Sequence, residues 1–290
     1  VVASLLALLA SLSWGTADFW AGLEARKTNV WTAALVGQGV AALVLVAALL
    51  VTGPATPPAA ALVPAVLGGV MGAAGALLQY RALALLDMSV ASPIVAGAVL
   101  VPVLWGLAQG EQPSAVQMAG IVATVLGIVL ISRGPSRNGG GETSGETAGR
   151  SRSVTRTGVL VAVGSAVTLG VFLVALDYGE DAGPLWTVTV ARTVAWVALA
   201  LTAAGARPTV RPRGRALAIL IGVGCLIATA NISFASATTM GYLSIVAVLG
   251  WLNPAVTILW ARAVLRERMR PLQVAAAVLV FAGIVCITLG

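Results

Sequence analysis

Apolar runs of about twenty residues, separated by short polar stretches, recur along the whole chain. Those at 1–23, 30–52, 60–86, 89–109, 115–132, 158–176, 184–206, 216–238, 242–264 and 272–290 predict ten helices. At 1.5 Å per residue, about 20 residues cross the ~30 Å hydrocarbon core of a bilayer. Prolines at 54, 57, 58, 113, 184, 208, 212 and 271 fall between the runs or at their starts, where a missing N–H costs a helix nothing. One polar stretch is much longer than the others. Residues 133–157 are rich in Gly, Ser, Thr, Glu and Arg and cannot bury enough apolar surface to pack, which predicts a flexible basic linker. Five spans precede it (residues 1–132) and five follow it (residues 158–290).

The two halves are related in sequence. A shift of 155 positions (170 − 15) lays Gly15 on Gly170, Trp31-Thr32 on Trp186-Thr187 and Gly69 on Gly224. A shift of 156 lays Glu111 on Glu267, Gln117 on Gln273 and Gly127-Ile128-Val129 on Gly283-Ile284-Val285. Matches among Ala, Val and Gly are cheap in so apolar a chain, whereas the Trp, Glu and Gln matches at a near-constant offset point to duplication. Because five is odd, the second half must enter the bilayer in the opposite sense. The predicted fold is an all-α membrane protein with ten transmembrane helices in a 5+5 inverted repeat, an arrangement frequent in secondary transporters.

Charge sharpens the orientation. Lys and Arg gather in alternate loops: Arg26 and Lys27, five arginines of the linker, four between 207 and 215, and Arg266, Arg268 and Arg270. The intervening loops carry none, so the positive-inside rule places residues 133–157 in the cytoplasm and both termini outside, in the plasma (inner) membrane. Composition agrees with a membrane class, with 59% hydrophobic and 9% charged residues and a mean hydropathy of +1.00, against about 25% charged in soluble domains. The net charge of +7 thus marks orientation and not a nucleic-acid surface. The first run lacks the basic start of a cleaved signal peptide. With no His, and with Cys225 and Cys286 alone in apolar runs, neither a metal site nor a cofactor is expected.

Polar residues inside spans are costly and mark either a solute path or a helix–helix contact. Asp18 is the one carboxylate well inside a run, and Arg81 lies at a similar distance from the same membrane face, so the two are expected either to pair or exchange partners near the inner mouth of a cavity, or each to snorkel to the interface. Arg192 lies eight positions beyond Pro184, too deep for comfortable snorkelling. It is the candidate for holding an anionic or carboxylate-bearing solute, or else bonds to carbonyls of a neighbouring helix. Gln79, Asn231 and Asn253 either line the path or join helices. Pro93 and Pro102 in the fourth span, and Asn253-Pro254 in its repeat equivalent, the ninth, would free carbonyls that bend the helix or line a cavity. Trp14, Trp105, Trp251 and Trp260 are candidates for stacking a solute, and Trp31 and Trp186 for interfacial anchoring. Glu111 and Glu267, ahead of helix starts, fit a structural role at the positive dipole end.

Ser13-Trp14-Gly15-Thr16-Ala17-Asp18-Phe19, Tyr80-Arg81-Ala82-Leu83-Ala84, Gly110-Glu111 and Leu265-Arg266-Glu267-Arg268 resemble motifs of EamA-type transporters of the drug/metabolite transporter (DMT) superfamily. The resemblance implies alternating access around a cavity between the halves, and a metabolite or amino-acid-like solute moved outward. Secondary transport is therefore expected, with a small-molecule substrate, the lipid bilayer as surroundings, protons as a candidate coupling ion carried by Asp18, and a monomer or homodimer. A passive channel is the alternative, although no ring of carboxylates or filter motif is present. Enzymatic chemistry would need clustered bases, nucleophiles or metal ligands, and the chain offers none in sequence.

Overall fold

The computed structural model describes residues 1–27, 30–85, 94–132, 148–206, 212–265 and 271–289. Every regular element among them is helical: α1 (Val2–Lys27), α2 (Val30–Thr52), α3 (Val63–Leu85), α4 (Ile94–Ala108), α5 (Ala115–Ser132), α6 (Ala148–Asp177), α7 (Pro184–Ala206), α8 (Arg215–Thr238), α9a (Leu243–Gly250), α9b (Asn253–Leu265) and α10 (Pro271–Leu289). Among the described residues six helices are long and apolar enough to cross a bilayer, and four shorter apolar ones accompany them. The all-α expectation holds. Two boundaries differ from it. The ninth span is not one helix but two, interrupted at Trp251-Leu252. And α6 begins at Ala148, ten positions before the expected 158, so residues 148–157 extend the helix instead of joining the linker. Adding a residue to a formed helix costs far less than nucleating one, and Arg, Ser and Thr are tolerable helix residues. Pro93, Glu267 and residues 133–147 lie outside the described residues.

The fourth span is also irregular, with a 3₁₀ turn at Gly97–Val99 between its first turn and Leu100–Ala108. A shift of 155 carries Ala98 onto Asn253, so both irregularities fall at the same place in their halves. Glycines mark the tight packing beside them. A side chain on Gly15 of α1 would strike Val256 and lie 2.7 Å from the Asn253 carbonyl. One on Gly170 of α6 would strike Val101 and lie 2.7 Å from the Ala98 carbonyl. The shift of 155 interconverts these contacts.

The same reciprocity runs through the bundle. α1 packs along α8 while α3 packs along α6, and α2 lies on α8 while α3 lies on α7. α5 and α10, repeat equivalents, pack on each other. Gly120 meets Gly283 and Ile287, and seven residues on Gly127 meets Val280 and Ala276, so the two helices run antiparallel. α2 and α7 are antiparallel too: Trp196 Nε1 donates to the Leu35 carbonyl, and Trp186 Nε1 to the Ala55 carbonyl at the far end. Small residues permit these approaches, since dispersion between close backbones replaces the hydrophobic drive that lipid removes.

The interior runs along α1, α6, α8 and α9a. Every residue of α9a is buried, and Gly250 at its end rests against the Phe234 ring. Large apolar side chains elsewhere point outward, among them Leu5, Leu12, Leu43, Leu160 and Phe281, as a bilayer-facing surface requires.

Candidate functional site

Two polar clusters lie where helices of the first half meet helices of the second. The first is centred on Arg192 of α7, whose side chain is 8% exposed. Its Nη2 donates to Asn231 Oδ1 of α8 at 2.6 Å and its Nη1 to Gln38 Oε1 of α2 at 3.2 Å. Asn231 is held in turn by its amide, which donates to the Ile227 carbonyl one turn back. The guanidinium carbon sits 4.7 Å from the centroid of the Phe172 ring of α6, a cation–π geometry. Nε is buried with no hydrogen-bond partner. Among the described residues no carboxylate pairs with Arg192, so amide dipoles and one aromatic face hold a whole positive charge.

The second cluster is Asp18 of α1 with Asn253, the first residue of α9b. Asn253 Nδ2 donates to Asp18 Oδ2 at 2.9 Å, and Asn253 Oδ1 is buried without a partner. Asp18 itself is exposed. Around the pair, Thr257 Oγ1 lies 3.0 Å from the Gly15 carbonyl, and Trp260 Nε1 donates to Thr16 Oγ1. Phe19, Trp20 and Trp260 form an aromatic group on one side. The break in the ninth span thus presents a helix N-terminus to α1, and positive dipole ends favour a carboxylate nearby.

An aromatic contact links the clusters. Trp14, one turn before Asp18, packs on Phe234 with centroids 5.6 Å apart, and Phe234 lies one turn beyond Asn231. Trp251 is half-buried at the break itself.

The remaining candidates are placed elsewhere. Arg81 is exposed on α3 and does not pair with Asp18. Similar depth does not make two helices neighbours: α1 packs on α8, α9a and α9b, and α3 on α6 and α7. Gln79 is half-buried on α3 and belongs to neither cluster. Trp105 stands with Tyr178, Gln109, Glu111, Asp177 and Asp181 around a separate pocket of about 300 Å³. There Glu111 is structural, but for another helix than expected. Its carboxylate accepts the backbone N–H groups of Leu243 and Ser244 at 2.6 and 3.0 Å, capping α9a across the halves. The helix that follows Glu111 is capped instead by Ser114 and Gln117, each side chain accepting the other's backbone N–H, a capping box.

Sequence reasoning missed Gln38 and Phe172. Gln38 had a signal: it is the only amide in its span, flanked by Gly37 and Gly39. A shift of 154 places it on Arg192, so these repeat equivalents touch each other.

A family model for EamA-like transporters matches residues 1–133 and again residues 156–289. The chain belongs to the EamA-like transporter family. It is therefore a multi-pass membrane protein of a transporter family and not an enzyme, with the bilayer around it and a small-molecule substrate. Among solved structures, one crystal structure of a protein superposes with a TM-score of 0.80 at 20% identity, covering 99% of this chain and 96% of that one. That likeness places the EamA-like chain in a known fold. No curated protein matches its sequence.

Proposed function

We propose that this EamA-like protein is a secondary-active carrier that moves a small metabolite or amino-acid-like solute outward by alternating access between two five-helix halves of opposite orientation. The observation that carries the reading is the pair of helix irregularities, a 3₁₀ turn at Gly97–Val99 and a break at Trp251-Leu252, at equivalent positions and each packed against the first helix of the other half. Broken helices at a repeat interface are where carriers of this architecture bind solutes and ions. The antiparallel packing of α5 on α10 and of α2 on α7 supports opposite orientation, and basic residues in alternate loops support a cytoplasmic linker.

The two clusters take different tasks in this reading. Arg192, buried and without a counter-ion among the described residues, receives an anionic group of the solute, and Gln38, Asn231 and Phe172 fix its position. Asp18 is the proton carrier. A carboxylate exposed within a membrane helix must meet water or a partner, because hydrocarbon penalises it by about 2.5–3.5 kcal/mol. Trp14 and Trp251 line the way between the clusters.

The test uses the purified chain in sealed vesicles, with a solute found by thermal shift across a metabolite panel. Saturable uptake that speeds up when the same solute is loaded inside is the expected result. Non-saturating flux with electrical conductance would identify a pore and end the proposal.

A further inference from the structure

A second place on the molecule fits a ligand of another kind. Between α1 and α8 an apolar groove of about 290 Å³ is walled by Thr16 and Trp20 on one side and by Ile219, Gly222 and Leu226 on the other, with Arg215 at its end. Its surroundings face the bilayer: Leu9 and Leu12 of α1 are 43% and 54% exposed, and Leu217 and Ile221 of α8 are 38% and 43% exposed. The Thr16 hydroxyl donates to the Leu12 carbonyl and accepts from Trp260 Nε1, so its hydrogen-bonding capacity is met within the protein and the groove needs no polar occupant there.

The dimensions suit one occupant. Residues 215, 219, 222 and 226 form one stripe along α8, whose eleven-residue span measures about 16 Å at helical rise. That is about half the hydrocarbon thickness, the depth of one leaflet. At the shallow end the chemistry becomes cationic. Arg215 and Arg213 are exposed, and Gly214 at the N-cap provides no side chain to the first amides of α8. At mid-groove Gly222 leaves open space where a side chain would stand.

We propose that this groove is a binding site for an anionic phospholipid, with one acyl chain lying along Gly222 and the phosphate on Arg215. The basic end lies in the loop of residues 207–215, which the positive-inside rule places on the cytoplasmic face, and an arginine near an anionic headgroup is worth about fivefold in affinity. The groove shares Thr16 and Trp20 with the surroundings of Asp18 but includes neither Asp18 nor Arg192, and lipid retention is read without transport, so this site and the transport reading fail separately.

Native mass spectrometry of the full chain in detergent, titrated with phosphatidylglycerol or phosphatidylcholine of equal chain length, tests this. The wild-type protein should retain phosphatidylglycerol preferentially. Arg215→Gln should reduce that preference by about fivefold. Gly222→Leu should lose the retained lipid altogether, while Gly205→Leu, a leucine placed at another open helical glycine, should keep it. Inorganic phosphate should give no protection against thermal unfolding. Equal retention of both lipids by the wild type, equal retention by the two leucine variants, or stabilisation by phosphate matching that by phosphatidylglycerol would each overturn the proposal.

Discussion

The two halves of the molecule share their packing and differ in their chemistry. Gly15 against the Asn253 carbonyl and Gly170 against the Ala98 carbonyl are the same contact made twice. One turn further along each helix the likeness ends. Asp18 of α1 bonds to Asn253, whereas the equivalent residue of α6 is Leu173, fully buried, facing a half that has Ala98 where the other has Asn253. The pattern repeats at the second cluster. Arg192 corresponds to Gln38, Asn231 to Ala76 and Phe172 to Ala17. The halves share a scaffold whose backbone approaches are constrained by glycine on both sides, while the polar groups stand on one side of each site. Close packing tolerates little change in volume, so it stays symmetric. A solute presents one face to the protein, so its site need not be.

The largest effect should come from forcing the chemistry to match. Leu173→Asp places a carboxylate in a fully buried position where Ala98 stands in place of an asparagine, and the insertion penalty of about 2.5–3.5 kcal/mol should leave little folded protein by size-exclusion chromatography. Asp18→Asn keeps a hydrogen-bonding group next to Asn253 and should fold normally while its uptake loses dependence on a proton gradient. Proton dependence that persists in Asp18→Asn would remove the role assigned to that carboxylate.

Next in size is the contrast between Arg192 and its repeat equivalent. In the role proposed for Arg192, Arg192→Ala should remove a charge-assisted contact worth about 3 kcal/mol, or roughly 100-fold in transport. Gln38→Ala removes one neutral-amide contact to the guanidinium, about 1 kcal/mol and roughly fivefold. Uptake kinetics of the two variants should therefore separate by more than tenfold, with Arg192→Lys intermediate. Equal losses would mean that the cluster only joins helices.

How much of this was legible in the chain follows from what each signal depends on. The repeat was visible because Trp, Glu and Gln recur at a nearly fixed offset; Asn253-Pro254 signalled a bend in the ninth span, but not that it divides into two helices. Arg192 stood out by depth alone. Of its partners, Asn231 was recognisable as a buried amide and Gln38 was passed over, because Gln38 aligns with Arg192 at 154 and not 155, a one-residue drift between helices. The expected Asp18–Arg81 pair failed for a related reason: depth along a helix is written in sequence, but which helices are neighbours is settled by close approach across the bundle. Glu111 was recognisable as a cap, yet the helix it caps lies more than 130 positions away, its bonds going to Leu243 and Ser244.

The smallest difference between the halves should come from their shared packing. Gly15→Ala and Gly170→Ala each push a methyl into a neighbouring backbone carbonyl, and overpacking of this kind costs about 1–3 kcal/mol. Thermal unfolding in detergent should show similar decreases for both. A loss confined to Gly15→Ala would mean that the packing likeness between the halves carries no energetic weight.

The central claim is that equivalent helices of the two halves run in opposite directions across the membrane. Val51 and Gly205 are exposed residues near the ends of α2 and α7 and are related by a shift of 154. Single cysteines at these positions, Val51→Cys and Gly205→Cys, in a protein with Cys225 and Cys286 changed to serine, can be probed in intact cells with a membrane-impermeant maleimide. Labelling of Val51→Cys from outside, with Gly205→Cys labelled only after permeabilisation, is the predicted result; labelling of both from the same side would contradict the account.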